Sequence, residues 1–315
     1  MRRSIWVCAG VLAALPLAAG VTVSPEPRRV VVTIDGQPFT NFILGGEGVV
    51  KPYFHPIYSA SGKIVTRQFP MARVEGESRD HPHHRGLWFT HGDVNGVDFW
   101  AADPSRKGGK QGSVVLTGVL AATSGDKEGT IRARFDWKGP EADVLLREDR
   151  TVVIPQPPPG LRIMDLDIRL TAVREARFVD TKEGTFAIRV ADSMNEKNGG
   201  VLRNAEGVEG EKQVWGRPSP YMNYFGTIGG EQLGIAILDH PSNPGHPTHW
   251  HVRSYGLFAA NIFGLHDFYN DKARDGGRTL EPGQTWRFRY RVIVYPGSPE
   301  KAGIREFYEA YAKTE

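Results

Sequence analysis

Apolar residues recur at every second position over several stretches of this chain, the period of a β-strand with one buried and one wet face. Ile131, Ala133, Phe135 and Trp137 share one face, and Met164, Leu166, Ile168 and Leu170 oppose Asp165, Asp167 and Arg169. Phe288, Tyr290, Val292 and Val294 face away from Arg287, Arg289 and Arg291 in the same way. Nearer the start, Arg28–Leu44 reads as a hairpin turning at Asp35-Gly36, a pair that tolerates the positive φ angles of a two-residue turn. Lys51–Thr66 predicts a second strand pair turning at Ser61-Gly62. The 37 glycines and 22 prolines fall between short apolar runs, the punctuation of an all-β protein. The Pro-rich run 155–160 has similar strands on both sides and predicts a stiff surface loop. One helix is predicted, over 299–313, with Ser298 as cap and Pro299 at its first position. Its residues Ile304, Phe307, Tyr308 and Tyr311 form a single docking face. The pattern implies an all-β fold, a large antiparallel β-sandwich with a C-terminal helix.

The first twenty residues break this pattern. Arg2 and Arg3 precede the apolar Ile5–Leu15, and Leu17–Gly20 are suited to a peptidase, the layout of a signal peptide. Pro16 interrupts a run already short for a membrane span. The expectation is a cleaved segment 1–20, export to the periplasm or exterior, and a single β-sandwich domain over 21–315 with no stable membrane insertion. Cys8, the only cysteine, lies in the leader, so disulfides and thiolate chemistry are not expected in the mature chain. The leader carries two of the 39 basic residues and none of the 36 acids, which leaves the mature chain nearly neutral. That balance argues against a nucleic-acid partner.

Nine of the ten histidines lie in two windows. The first, Asp80–Trp100, holds His81, His83, His84 and His91 with Arg85, Trp88, Asp93 and Asn95. The second, Asp239–Phe268, holds His240, His246, His249, His251 and His266 with Trp250 and Asn261. Each opens on an Asp-His-Pro triplet, which supplies a carboxylate able to orient an imidazole. A buried histidine with an unpaired ring nitrogen costs about 1–3 kcal/mol, so the two windows are expected to meet around one pocket. Between them, Glu183 in DTKEGTF is a candidate general acid or base. The catalytic candidates are therefore His83, His84, Glu183, His249 and His251. Arg85, Trp88, Asp93, Asn95, Trp250, Asn261 and His266 are the candidates for holding substrate. In an extended backbone His81 and His83 share a face, as do His249 and His251, so these four would ligate one divalent zinc, copper or iron in a metalloprotein. Without metal, the same histidines would bond carboxylates and backbone around a polar pocket.

The motifs DHPHHRGLWFTHGDVNGVDFW, DTKEGTFAIRV and DHPSNPGHPTHWHVRSYGLFAANIFGLHDF, in that order, resemble the PmoA-like family of exported bacterial proteins over about Arg28–Pro296. Its inherited label is methane oxygenase, a membrane activity that needs several apolar spans, and the mature chain has none. The family's company in polysaccharide-degrading bacteria implies sugars. Three readings follow. One is a carbohydrate-active enzyme similar in build to mutarotase-like supersandwich enzymes, acting by His/Glu acid–base chemistry as an epimerase, lyase or hydrolase on a small or oligosaccharide ligand. The second is a cupin-like metalloprotein, and the third a non-catalytic carbohydrate-binding module.

Overall fold

In the computed structural model, which describes residues 20–315, two eight-stranded antiparallel sheets pack face to face. The leader, residues 1–19 of it, lies outside the described residues. The strands in chain order begin with β1 (Val21–Glu26), β2 (Arg29–Ile34), β3 (Gln37–Ile43), β4 (Tyr53–Ile57), β5 (Leu87–His91) and β6 (Ser113–Thr123). They continue with β7 (Glu128–Lys138), β8 (Val144–Pro155), β9 (Arg162–Ala172), β10 (Ala176–Phe178), β11 (Gly184–Arg189) and β12 (Val201–Asn204). The last are β13 (Tyr221–Ile228), β14 (Glu231–Asp239), β15 (His249–Arg253), β16 (Leu257–Asn261), β17 (Arg278–Leu280) and β18 (Thr285–Pro296). The first sheet runs β1-β2-β3-β4-β5-β11-β16-β15, and the second β12-β13-β14-β18-β9-β8-β7-β6.

The period-two stretches become the long strands β7, β9 and β18, and their apolar residues fill the space between the sheets. Asp35 and Gly36 both take positive φ, 51° and 72°, at the two-residue turn joining β2 to β3. The pair expected over Lys51–Thr66 is reduced to β4 and a bridge between Tyr58 and Ile64. A charged pair is sealed in this interior. Glu148 accepts from Nε of Arg150 at 2.6 Å and from Trp137 Nε1 at 2.9 Å, with both charged side chains fully buried.

The predicted C-terminal helix is shorter than expected. Its helical part is Ile304–Tyr311, because Gly303 adopts φ 69° and separates the turns at 298–302 from it. Ile304 and Tyr311 are buried, with Phe307 and Tyr308 packed beside them, so the docking face is the predicted one. It sits on the second sheet, where His240 bonds Thr314 O and His246 bonds Asp239 at 2.8 Å.

Candidate functional site

Strand register lays one row of side chains across the outer face of the first sheet. Tyr53 pairs with Trp88, Trp88 with Ala187, Ala187 with Ala259, and Ala259 with His251. Neighbouring strands are ~4.8 Å apart, so two alanines between a tryptophan and a histidine make a trough. Trp100, carried in by the loop after β5, joins the same buried cluster as both alanines. Its ring is centred 5.9 Å from that of His84 and 6.3 Å from that of His251. The two histidine windows thus meet across one indole.

The segment before β5 is a turn, not an extended strand. His81 takes φ 43° and its carbonyl accepts from His84 N–H at 3.0 Å. All three rings therefore gather, with centres 4.7 Å (His81–His84), 4.5 Å (His83–His84) and 5.7 Å (His81–His83) apart. Tyr255 stacks on His81 at 5.0 Å, and His84 lies against Trp88 at 5.3 Å. Two fully buried arginines fasten the turn. Arg67 and Arg189 both donate to Oδ1 of Asp80, at 2.5 and 2.8 Å, and Arg67 also donates to the carbonyls of Asp80, His81 and His84. Burial pushes the Asp80 carboxyl up, but Arg189, His81 and Arg67 outweigh it and hold it below its usual range.

Hydrogen bonds assign the protons on the two deep rings. Arg189 Nη1 lies 3.4 Å from His84 Nδ1, and a guanidinium only donates, so Nδ1 accepts and the neutral ring carries its proton on Nε2. His251 Nδ1 lies 2.7 Å from Lys182 O, and a carbonyl only accepts, so Nδ1–H donates and Nε2 keeps a free lone pair. Burial makes both rings poor bases. It brings His251 to about 3, helped by Arg253, and His84 well below its usual value, helped by His83 and Arg189. His83 is lowered to about 3 by burial and then by Lys51. Lys51 is itself buried over Trp88, with its Nζ on Trp100 O, and burial with Arg85 nearby brings it to about 7. Burial raises Tyr255 to about 12.

Five buried polar atoms on this face have no partner among the described residues: Trp88 Nε1, Thr90 Oγ1, Trp100 Nε1, Arg189 Nε and His251 Nε2. At the rim, Glu183 pairs with Lys182 at 3.3 Å, both side chains about one-third exposed. Asn261 holds the segment behind them by donating to Thr181 O and Lys182 O, at 2.9 and 3.0 Å.

Other candidates lie elsewhere. Trp250 alternates with His249 and His251 and so turns into the sandwich core, donating to Ser219 O. Asp93 and Asn95 shape a turn, capping Gly96 N and bonding Glu175 O and Arg177 N, away from the trough. His266 pairs with Asp180 at 2.6 Å, and His91 bonds Val179 O beneath the sheet. Arg85 is committed to Gly48 O and Asp103. His249 stacks on Phe268 and meets Tyr269 Oη at 3.2 Å. His81, His83, His249 and His251 therefore do not converge as ligands, and among the described residues no group of three His, Cys, Asp or Glu is arranged to hold a metal ion. The donor set does not fit a metal centre. Sequence reasoning missed Lys51, Arg189 and Tyr255. Arg189 alone left a signal, as a charge ending the apolar strand GTFAIR.

A family model described as "Family of unknown function (DUF6807)" matches residues 29–309. No curated protein matches in sequence. Among solved structures, the Slr1438 protein from Synechocystis sp. PCC 6803 is 9% identical, with 92% of this chain and 100% of that one covered and a TM-score of 0.42. A galactose mutarotase related enzyme from Lactobacillus acidophilus is 7% identical, covering 88% and 97%, with a TM-score of 0.39. The GalM/aldose epimerase homologue from C. elegans is 9% identical, covering 89% and 99%, with a TM-score of 0.34. Among the described residues no helix is long and apolar enough to cross a membrane.

Proposed function

The chain belongs to this family of unknown function, and from that premise we propose that it is an exported carbohydrate-active enzyme whose site is the trough between Trp88 and His251. The observation that carries the reading is the set of five unpartnered polar atoms there, two indole N–H donors, one guanidinium N–H donor, one imidazole acceptor and one hydroxyl. Each costs about 1–3 kcal/mol if left unmet, and a sugar's hydroxyls, which both donate and accept, match that mixture. The faces of Trp88 and Trp100 suit the C–H faces of a pyranose.

The rings deep in the trough are too weakly basic to take a proton near neutral pH, so His84 Nε2–H and His251 Nε2 anchor hydroxyls. Proton transfer falls to the rim, to Glu183 and to His81 backed by Asp80 at 3.3 Å. Trp88 and Trp100 are fully buried and His251 is almost so, so a ligand reaches His251 only when the loop carrying Trp100 swings away. The resemblance to the PmoA-like family fits export and sugar use, and adds no reaction.

A second reading, a non-catalytic binding module, is favoured by one observation: His83, His84 and His251 are all held far below the range useful for acid–base work. Turnover separates the two. Proton NMR of a panel of neutral and acidic oligosaccharides, incubated with the wild type and with Glu183→Gln, is expected to show conversion of at least one glycan that the variant slows about 100-fold or more. Binding without conversion by the wild type would establish the module instead.

A further inference from the structure

The trough does not stand alone. Trp215 meets His251 edge-on at 5.1 Å and 89°, and it also lines a cleft of about 610 Å³. That volume lies within the range of small-ligand sites, ~300–1,000 Å³. Trough and cleft share one wall.

The cleft is held open by specific packing. The guanidinium of Arg253 covers one face of Trp215 at 3.9 Å and is tied to Glu211 at 3.2 Å, which fixes the indole. Gly216, at φ 64°, lets Phe268 press against the loop, since a Cβ there would come within 2.6 Å of the Phe268 side chain. Phe268 in turn meets Trp215 edge-on at 5.4 Å, and Tyr269 extends the aromatic lining.

Charge selects the occupant. Lys212 and Arg217, both exposed, line the cleft, and neither has an ion-pair partner among the described residues. The one acid in the lining, Glu206, is engaged by the Ser219 hydroxyl at 2.9 Å. Aromatic walls with two free cations suit a sugar ring bearing a carboxylate.

We propose that this cleft is a second subsite, taking an acidic sugar unit of an oligosaccharide whose neighbouring unit occupies the trough. The inference rests on the carbohydrate reading of the trough and adds the substrate class: a uronate-containing chain of at least two units. Trp215 is the partition over which the chain passes, and Lys212 and Arg217 meet the carboxylate.

Isothermal titration calorimetry on the full chain tests it. The probes are monomers and trimers of galacturonate, glucuronate, mannuronate and guluronate, with neutral cello-, xylo- and mannotriose beside them. At least one acidic trimer is expected to bind about tenfold or more tighter than its monomer, with no such gain for neutral trimers. The double variant Lys212→Glu/Arg217→Glu, on exposed positions with little risk to folding, is expected to abolish the gain, as is Trp215→Ala. A gain shared by neutral trimers, a gain that survives the double variant, or no gain for any acidic trimer overturns the proposal. If monomers bind and His251→Gln removes that binding while trimers gain nothing, the trough reading stands and the subsite alone falls. If neither monomers nor trimers bind the wild type, both fall.

Discussion

The ring of His251 is hydrogen-bonded to the carbonyl of Lys182 at 2.7 Å, and that same carbonyl accepts from Asn261 at 3.0 Å. The acceptor that orients the imidazole is thus itself held by a buried amide, which also grips Thr181. A ring on a loosely held carbonyl would exchange tautomers, and Nε2 would no longer keep its free lone pair. Asn261→Ala is therefore expected to cost about 1–3 kcal/mol in urea unfolding and to weaken ligand binding at the trough. Unchanged stability would show that the 181–183 segment is held by something else.

Acid should destabilise the protein before its carboxylates titrate. His83 and His251 protonate at about 3 in the fold, against an ordinary value of 6.5. Between those values the unfolded chain holds more protons than the folded one, so stability is fully present above about pH 6.5 and falls as pH drops toward 3. Calorimetric melting temperature is expected to decline steadily from neutral pH to about pH 4.5. A flat profile there would mean that these rings are exposed.

The alkaline side has its own marker. Lys51 loses its proton at about 7 in the fold and at 10.5 ordinarily, so across that window the unfolded chain again holds the extra proton and stability rises with pH. Below about pH 9.5 the tyrosines do not interfere, since burial raises Tyr255 rather than lowering it. Lys51→Met is expected to remove the rise seen by urea unfolding. A rise that persists in the variant would assign it to another group.

Glu148 and Arg150 face each other inside the sandwich with no solvent exposure, and the guanidinium rests on Phe42 and Phe135 at 5.5 and 5.4 Å. Glu148→Gln leaves a buried cation without its counter-charge, an expected loss of about 3–5 kcal/mol. Replacing both residues by apolar ones of similar size is expected to be far milder. Equal losses for the single and double variants would contradict the pairing.

The strands were legible because their alternation is a local property: β7, β9 and β18 each write their buried face in period two. The cost of burying imidazoles leads to the expectation that the two windows meet. His84 and His251 flank Trp100, but among the described residues no imidazole of one window bonds one of the other, and His91 Nδ1 and His251 Nε2 have no partner. Which histidines gather was not legible, because it depends on backbone direction at single residues. His81 and His83 would share a face only in an extended segment, whereas φ 43° at His81 folds the segment back and adds His84 to the group. The strand parity that brings His251 to the outer face sends Trp250 into the core. Lys51 and Tyr255 carry no motif, and reach the site only through loop packing around Trp100 and the turn between β15 and β16. The C-terminal helix start was misplaced because Ser298-Pro299 begins a turn, and Gly303 then restarts the chain.

The most direct test is ¹⁵N NMR of the histidine rings, with and without a sugar that binds. The structure predicts a protonated Nδ1 and bare Nε2 for His251, the reverse for His84, and neutral rings for both near neutral pH. Sugar binding is expected to shift the Nε2 resonances of both rings together. Identical tautomers at the two sites, or Nε2 resonances that a bound sugar leaves unmoved, would contradict the assignment of the trough as the site.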